Sequence, residues 1–179
     1  MHVSFESPDQ PEIIALVAEL DEYQDRLYPP ESRHSLNLHS LKQSNVIFVV
    51  ARSDGGRAVG CGAIVLGAGY GELKRMYVQP NRRGQGIAKV ALGQLESEAR
   101  ARGCQLLKLE TGPYQPEALA FYGRSGYKRC GPFGAYTNDP LSVFMQKSLA
   151  PWALMSLRVL RFALVRRCPA TPPQPCFHR

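Results

Sequence analysis

The run Met76-Tyr77-Val78-Gln79-Pro80-Asn81-Arg82-Arg83-Gly84-Gln85-Gly86-Ile87-Ala88 constrains this chain more than any other segment. A strand-like stretch ends at Pro80, which has no N–H with which to extend a ladder. A basic, glycine-rich turn follows and opens directly into a helical pattern. The first N–H groups of a helix have no partner within it, and they sit at the positive end of its dipole. Glycine lets a ligand approach the backbone closely. The segment therefore reads as a pocket for a phosphorylated ligand.

Two common phosphate spellings do not fit. A dinucleotide fingerprint needs G-x-G-x-x-G, and the window Gly84-Gln85-Gly86-Ile87-Ala88-Lys89 has Lys where the third glycine belongs. No window supplies the G-x-x-x-x-G-K-[ST] of a P-loop. What remains is Arg83-x-x-Gly86-x-Ala88 after a strand. The competing reading is an ordinary strand-to-helix turn.

The chain has 179 residues, enough for one domain with a proper core. Its net charge of +7 suggests nucleic acid until the charge is located. Residues 151–179 carry Arg158, Arg161, Arg166, Arg167 and Arg179 and no acid. Of the 22 basic residues that leaves 17, against all 15 acidic ones, so the body is nearly balanced. No basic stripe with interleaved aromatics appears in it, and nucleic acid is not expected as a partner. The five cysteines are scattered and form no C-x-x-C pair, so neither a disulfide framework nor a metal site is expected. A reducing, cytoplasmic location fits this usage. The N-terminus has no basic and apolar leader, so no signal peptide is expected. No apolar run approaches the ~20 residues of a membrane span.

Residues 2–6 alternate as a short strand. Asp9 or Ser7 is placed to cap a helix with Pro11 in its first turn and Ile13, Ile14, Leu16, Val17 and Leu20 at helical spacing. Residues 36–42 make a second, short helix. Residues 45–52, 58–66 and 72–78 read as strands, the first two joined by a turn at Ser53-Asp54-Gly55-Gly56. A helix starts at Gly86 and runs to about Arg102, with Ile87, Val90, Ala91, Leu95 and Ala99 on one stripe. A strand over 106–110, a helix over 116–125, and strands over 127–130 and 143–147 complete the body. The order β-α-α-β-β-β-α-β-α-β-β indicates an α/β (α+β) domain with a mixed sheet. Residues 1–150 are expected to form that domain. Residues 151–179 change character, with an apolar, arginine-bearing segment and then a proline-rich tail expected to be disordered. The tail is either a helix packed on the body or an amphipathic segment contacting a membrane or partner.

The phosphate turn resembles the acetyl-CoA signature Q/R-x-x-G-x-G/A of the GNAT superfamily of N-acetyltransferases. A second segment, Gln115-Pro116-Glu117-Ala118-Leu119-Ala120-Phe121-Tyr122-Gly123-Arg124-Ser125-Gly126-Tyr127, resembles that family's N-x-x-A-x-x-F-Y-x-x-x-G-F/Y motif. The likeness covers most of residues 5–149. Glu72-Leu73-Lys74-Arg75-Met76, Pro29-Pro30-Glu31-Ser32 and Gly131-Pro132-Phe133 resemble an uncharacterised bacterial branch of small acetyltransferases.

The resemblance implies a largely antiparallel mixed sheet flanked by helices and splayed between its fourth and fifth strands. It implies acetyl-CoA as acyl donor, no metal, and direct transfer to a primary amine. The expected acceptor is a small or amino-acid-like molecule. The alternatives are a protein lysine or N-terminal acetyltransferase, or a non-catalytic acyl-CoA-binding regulatory module. A monomer or homodimer is expected. Arg83, Gly84, Gln85, Gly86, Ile87 and Ala88 are expected to bind the pyrophosphate, with charge-assisted bonds from Arg82 and Arg83. The backbone of Met76, Tyr77 and Val78 is expected to pair with the pantetheine arm. Gln115 stands where the family often has Asn in contact with that arm. Tyr122 matches the family's general acid near the cofactor sulfur. Glu72, opening the strand before the phosphate turn, is the general-base candidate. Glu110 is its reserve and His34 a third choice. Arg33 and Arg75 are candidates to bind an acceptor carboxylate.

Overall fold

The computed structural model describes residues 1–32 and 36–149. Expectations for Arg33, His34 and the tail fall outside the described residues. Seven strands form one sheet: β1 (His2–Phe5), β2 (Val46–Arg52), β3 (Ala58–Leu66), β4 (Gly71–Val78), β5 (Leu106–Thr111), β6 (Lys128–Arg129) and β7 (Val143–Ser148). Their spatial order is β1-β2-β3-β4-β5-β7-β6. Neighbours are antiparallel except β4 and β5. The helices are α1 (Pro11–Asp25), α2 (Leu38–Leu41), α3 (Ile87–Ala101) and α4 (Pro116–Arg124). The element order is the one expected from the sequence.

Each face of the sheet carries its own core. Ile13, Leu16 and Leu20 of α1 pack with Phe48, Val50, Cys61, Ala63 and Tyr77. Ile87, Ala91, Leu92, Leu95 and Ala99 of α3 pack on the opposite face, with Ile47, Val49, Ile64, Leu73, Leu107 and Leu109. Two local expectations are corrected. Gln10, not Ser7 or Asp9, occupies the N-cap of α1, and the Ser7 hydroxyl accepts from the Asp9 N–H instead. Val90 is exposed, because the buried stripe of α3 turns through Leu92 and Glu96. Glu96 is tolerated there because Lys147 donates to it at 2.6 Å and the Tyr127 hydroxyl at 3.1 Å.

Two irregularities in β4 create the site. Parallel pairing with β5 ends at Leu73↔Leu109, so the strands part beyond it. The register against β3 also slips, from Ala63↔Lys74 to Cys61↔Tyr77. Gly62 thus faces two residues of β4, and Arg75 takes a left-handed φ of 56° at this bulge. An inserted residue reverses the alternation of side chains. Leu73 enters the α3 side, whereas Tyr77, an even number of residues later, enters the α1 side. Met76 is thereby turned toward α3, crossing Gly62, where a Cβ would strike its sulfur.

Candidate active site

The parted strands open two adjoining cavities. The larger, about 880 Å³, lies over the phosphate turn. Pro80–Arg82 make one turn of 3-10 helix. Gly84 and Gly86 then take φ values of 77° and 79°, which favour glycine. Gly86 is the N-cap of α3, and its carbonyl accepts from the N–H groups of Lys89 and Val90. The N–H groups before those lie ahead of the first helical bond and border the cavity. Arg83 is steered inward by a 3.2 Å bond to the Val78 carbonyl, a 3.5 Å ion pair with Glu117 and the ring of Tyr23 at 5.5 Å.

The smaller cavity, about 100 Å³, lies between the open end of β5 and the segment after α1. Glu110 and Thr111 of β5 and Gly112 just beyond it border the cavity on one side, and Tyr28 and Ser32 on the other. Glu110 accepts a 2.9 Å bond from the Ser142 hydroxyl. Tyr28 stacks on Tyr114 at 5.7 Å and accepts from the Tyr114 N–H at 3.1 Å. Its ring lies directly over Gly112, where no Cβ could fit.

The two cavities share Leu20, Met76, Gln115, Ala118 and Tyr122 as lining. Tyr122 is buried, edge-on to Tyr127 at 5.7 Å. Burial, and secondarily the Glu110 charge, push its hydroxyl pKa above the usual tyrosine value. The carbonyl end of Gln115 accepts from the Thr111 hydroxyl at 3.1 Å and the Gly112 N–H at 3.4 Å. Those bonds fix the turn between β5 and α4.

Most of the expected residues meet here. Met76, Tyr77, Val78, Arg83, Gly84, Gly86, Ile87, Ala88, Gln115 and Tyr122 all line the larger cavity, whereas Gln85 does not. Glu72 lines neither cavity. Its carboxylate accepts from the Tyr136 hydroxyl at 2.6 Å and pairs with Lys74 at 2.8 Å. Arg75 borders the smaller cavity, but its guanidinium donates to Asp21 and the Leu36 carbonyl. It therefore ties α1 and the segment before α2 to the bulge. The sequence places acceptor binding around residues 28–41 and 131–139, but it shows Tyr28, in its Tyr-Pro-Pro context, only as the end of a helix. Nor does it show that Tyr136, within the second of these segments, reaches Glu72 from 64 positions away.

A family model described as Acetyltransferase (GNAT) family matches residues 13–127. The chain belongs to this family of N-acetyltransferases. It is 48% identical over 149 residues to an IAA acetyltransferase of Azospirillum brasilense, covering 82% of this chain and 97% of that protein. A candidate acyl-CoA N-acyltransferase of Klebsiella pneumoniae superposes with a TM-score of 0.71 at 43% identity, covering 83% of this chain and 97% of that one. The PaiA N-acetyltransferase of Thermoplasma acidophilum, in complex with coenzyme A, shares the fold with a TM-score of 0.63 at 18% identity, over 83% and 100% of the two chains. Among the described residues no helix is long and apolar enough to cross a membrane.

Proposed function

We propose that the protein transfers the acetyl group of acetyl-CoA to a primary amine on a small molecule. The observation that carries this reading is Tyr122 at the shared lining of a large, phosphate-turn cavity and a small, polar one. A donor in the first and an amine in the second would meet at its hydroxyl.

The donor pyrophosphate is assigned to the backbone of Gly84–Ala88, with Arg82 and Arg83 adding charge-assisted bonds. The pantetheine arm is assigned to the edge of β4 at Met76, Tyr77 and Val78, which has no β5 partner. A backbone N–H at the bulge would polarise the thioester carbonyl. The amine nitrogen attacks that carbon. Its N–C bond forms, the C–S bond breaks, and the sulfur leaves as thiolate. Tyr122 donates to the departing sulfur and supplies the proton that completes the thiol, and the proton still held by the newly acylated nitrogen returns to the Tyr122 oxygen. Because its pKa is raised, Tyr122 holds that proton through neutral pH. The proton of the acceptor ammonium goes to a base before attack. We assign this to Glu110, directly or through a water, rather than to Glu72. Glu110 borders the small cavity, whereas the Glu72 carboxylate is engaged by Lys74 and Tyr136.

Thiol release from acetyl-CoA in the presence of an amine panel tests the reading. Turnover on at least one small amine is expected, and it should fall in both Tyr122→Phe and Glu110→Gln. Tight donor binding with no thiol release on any amine would defeat it.

A further inference from the structure

Two buried hydroxyls border the smaller cavity and enter no step of the proposed reaction. Tyr28 is 8% exposed and Ser32 9%. Both line the cavity, across from Glu110. The sequence between them is stiff. Pro29 and Pro30 have fixed φ angles. Pro30–Ser32 then make one turn of 3-10 helix, where the Ser32 N–H donates to the Pro29 carbonyl at 3.1 Å.

The Tyr28 oxygen accepts from the Tyr114 N–H at 3.1 Å. Its own proton has no acceptor among the described residues, and the Ser32 hydroxyl has no partner among them. Burial raises the Tyr28 pKa above the usual tyrosine value, so the hydroxyl is a donor at neutral pH. Buried polar groups are ordinarily paired, and two left over in one cavity mark where the polar atoms of a ligand go. The charge of the lining decides which atoms those are. Lys74 and Arg75 border the cavity, whereas their carboxylate partners Glu72 and Asp21 do not. Glu110 is the one acid among the described lining residues. An ammonium therefore has Glu110 to face, and a carboxylate has two hydroxyl donors within a lining that holds two cations.

We infer that Tyr28 and Ser32 bind the carboxylate of a compact amino acid whose amine is the acetyl acceptor. This rests on the acetyl-transfer reading above. The cavity holds only about 100 Å³, which keeps amine and carboxylate on one short molecule, as in an α-amino acid. The two hydroxyls then set specificity rather than perform chemistry. A site built to bond a substrate oxygen rejects the analogue that lacks it, because its own buried donors are left unpaired.

Thiol release from acetyl-CoA by the full chain tests this, with amino acids each paired with the decarboxylated amine and the primary amide. At least one amino acid should exceed its decarboxylated amine in kcat/KM by about a hundredfold, at about tenfold for each charge-assisted bond. Its amide should fall between the two. In Tyr28→Phe and in Ser32→Ala that ratio should drop about tenfold, through KM for the amino acid rather than kcat. Tyr28→Phe also releases the Tyr114 N–H, whereas Ser32→Ala breaks no bond among the described residues, so the second variant separates recognition from a displaced loop. A melting temperature that still rises with coenzyme A reports that each variant folds. Decarboxylated amines turned over as well as their amino acids would overturn the subsite and leave acetyl transfer standing. An unchanged ratio in Ser32→Ala would do the same. No thiol release on any amine would remove the transfer reading together with the subsite.

Discussion

In the proposed reaction Tyr122 and Glu110 divide the proton work, and their surroundings differ accordingly. Burial raises the Tyr122 pKa, so the hydroxyl stays protonated beyond the ordinary tyrosine range. Tyr122→Phe should lower kcat by about a hundredfold, the scale of a lost general acid, with little change in KM for acetyl-CoA. Steady-state kinetics on both substrates checks this split. The sign of the shift also fixes the pH profile. A raised pKa delays loss of the acid form, so kcat should show no descending limb below about pH 10 that Tyr122→Phe abolishes. Such a limb would mean that the hydroxyl titrates normally. The place of Tyr122 in the cavity lining was legible in the sequence because its motif is local. The surroundings of Glu72 were not, because its partner Tyr136 comes from 64 positions away. Strand alternation sets Glu72 and Lys74 on one face of β4, where the segment around Tyr136 covers them. Lys74 lies over the Tyr136 ring at 5.0 Å, and Lys108 lies 5.2 Å from both Tyr70 and Phe133. No spacing within residues 72–78 shows that aromatic cover.

Two elements decide whether the cavities exist at all. The β4 bulge turns Met76 toward α3 and leaves the strand edge for a ligand, yet Arg75 gives no sign of it in sequence, since a left-handed φ is ordinarily read from glycine. The fold order was legible because hydrophobic periodicity is a local signal, whereas a bulge is a product of pairing between strands. The β5–α4 turn is the second element. Tyr28 occupies the space over Gly112, closing the small cavity from above. Gly112→Ala should expel the Tyr28 ring and widen that cavity. KM for the amine should rise about tenfold or more while KM for acetyl-CoA moves little, since misplacement touches only the acceptor side. A matched rise in both would place Tyr28 in donor binding instead. At the other edge of the sheet, Arg52 ends β2 and grips Glu6 at 2.8 Å and 2.9 Å. Those bonds lower the Glu6 pKa from 4.5 to about 2. A depressed carboxylate pKa contributes stability that is present above pH 4.5 and lost as pH falls through 2. With solvent screening of this partly exposed pair, the contribution is about 1–2 kcal/mol. Denaturant melts of Glu6→Gln should show that much less stability at pH 7 and a flatter dependence between those limits. An unchanged acid limb would assign it to other carboxylates.

At the scale of the whole molecule, catalysis as proposed draws only on the unit Met1–Leu149. Every residue assigned to the donor, the acceptor or proton transfer lies within it. The match to the Azospirillum brasilense relative spans 149 residues here yet 97% of that protein. That relative is thus close in length to the unit Met1–Leu149. The composition points the same way, since the tail holds five arginines and no acid while the body is nearly neutral. A chain cut after Leu149 should keep kcat and both KM values within about twofold of the full chain, the spread expected when no catalytic contact is removed. Its melting temperature should still rise with coenzyme A. Ligand at a hundredfold its Kd adds about 2.7 kcal/mol, or roughly 5–10 °C for a domain of this size. Parallel thermal melts and thiol-release assays on the two chains check both expectations. Loss of turnover with the coenzyme A shift intact would place an acceptor-binding element in the tail. Loss of the shift itself would make the tail part of the folded unit, and the division at Leu149 would fall.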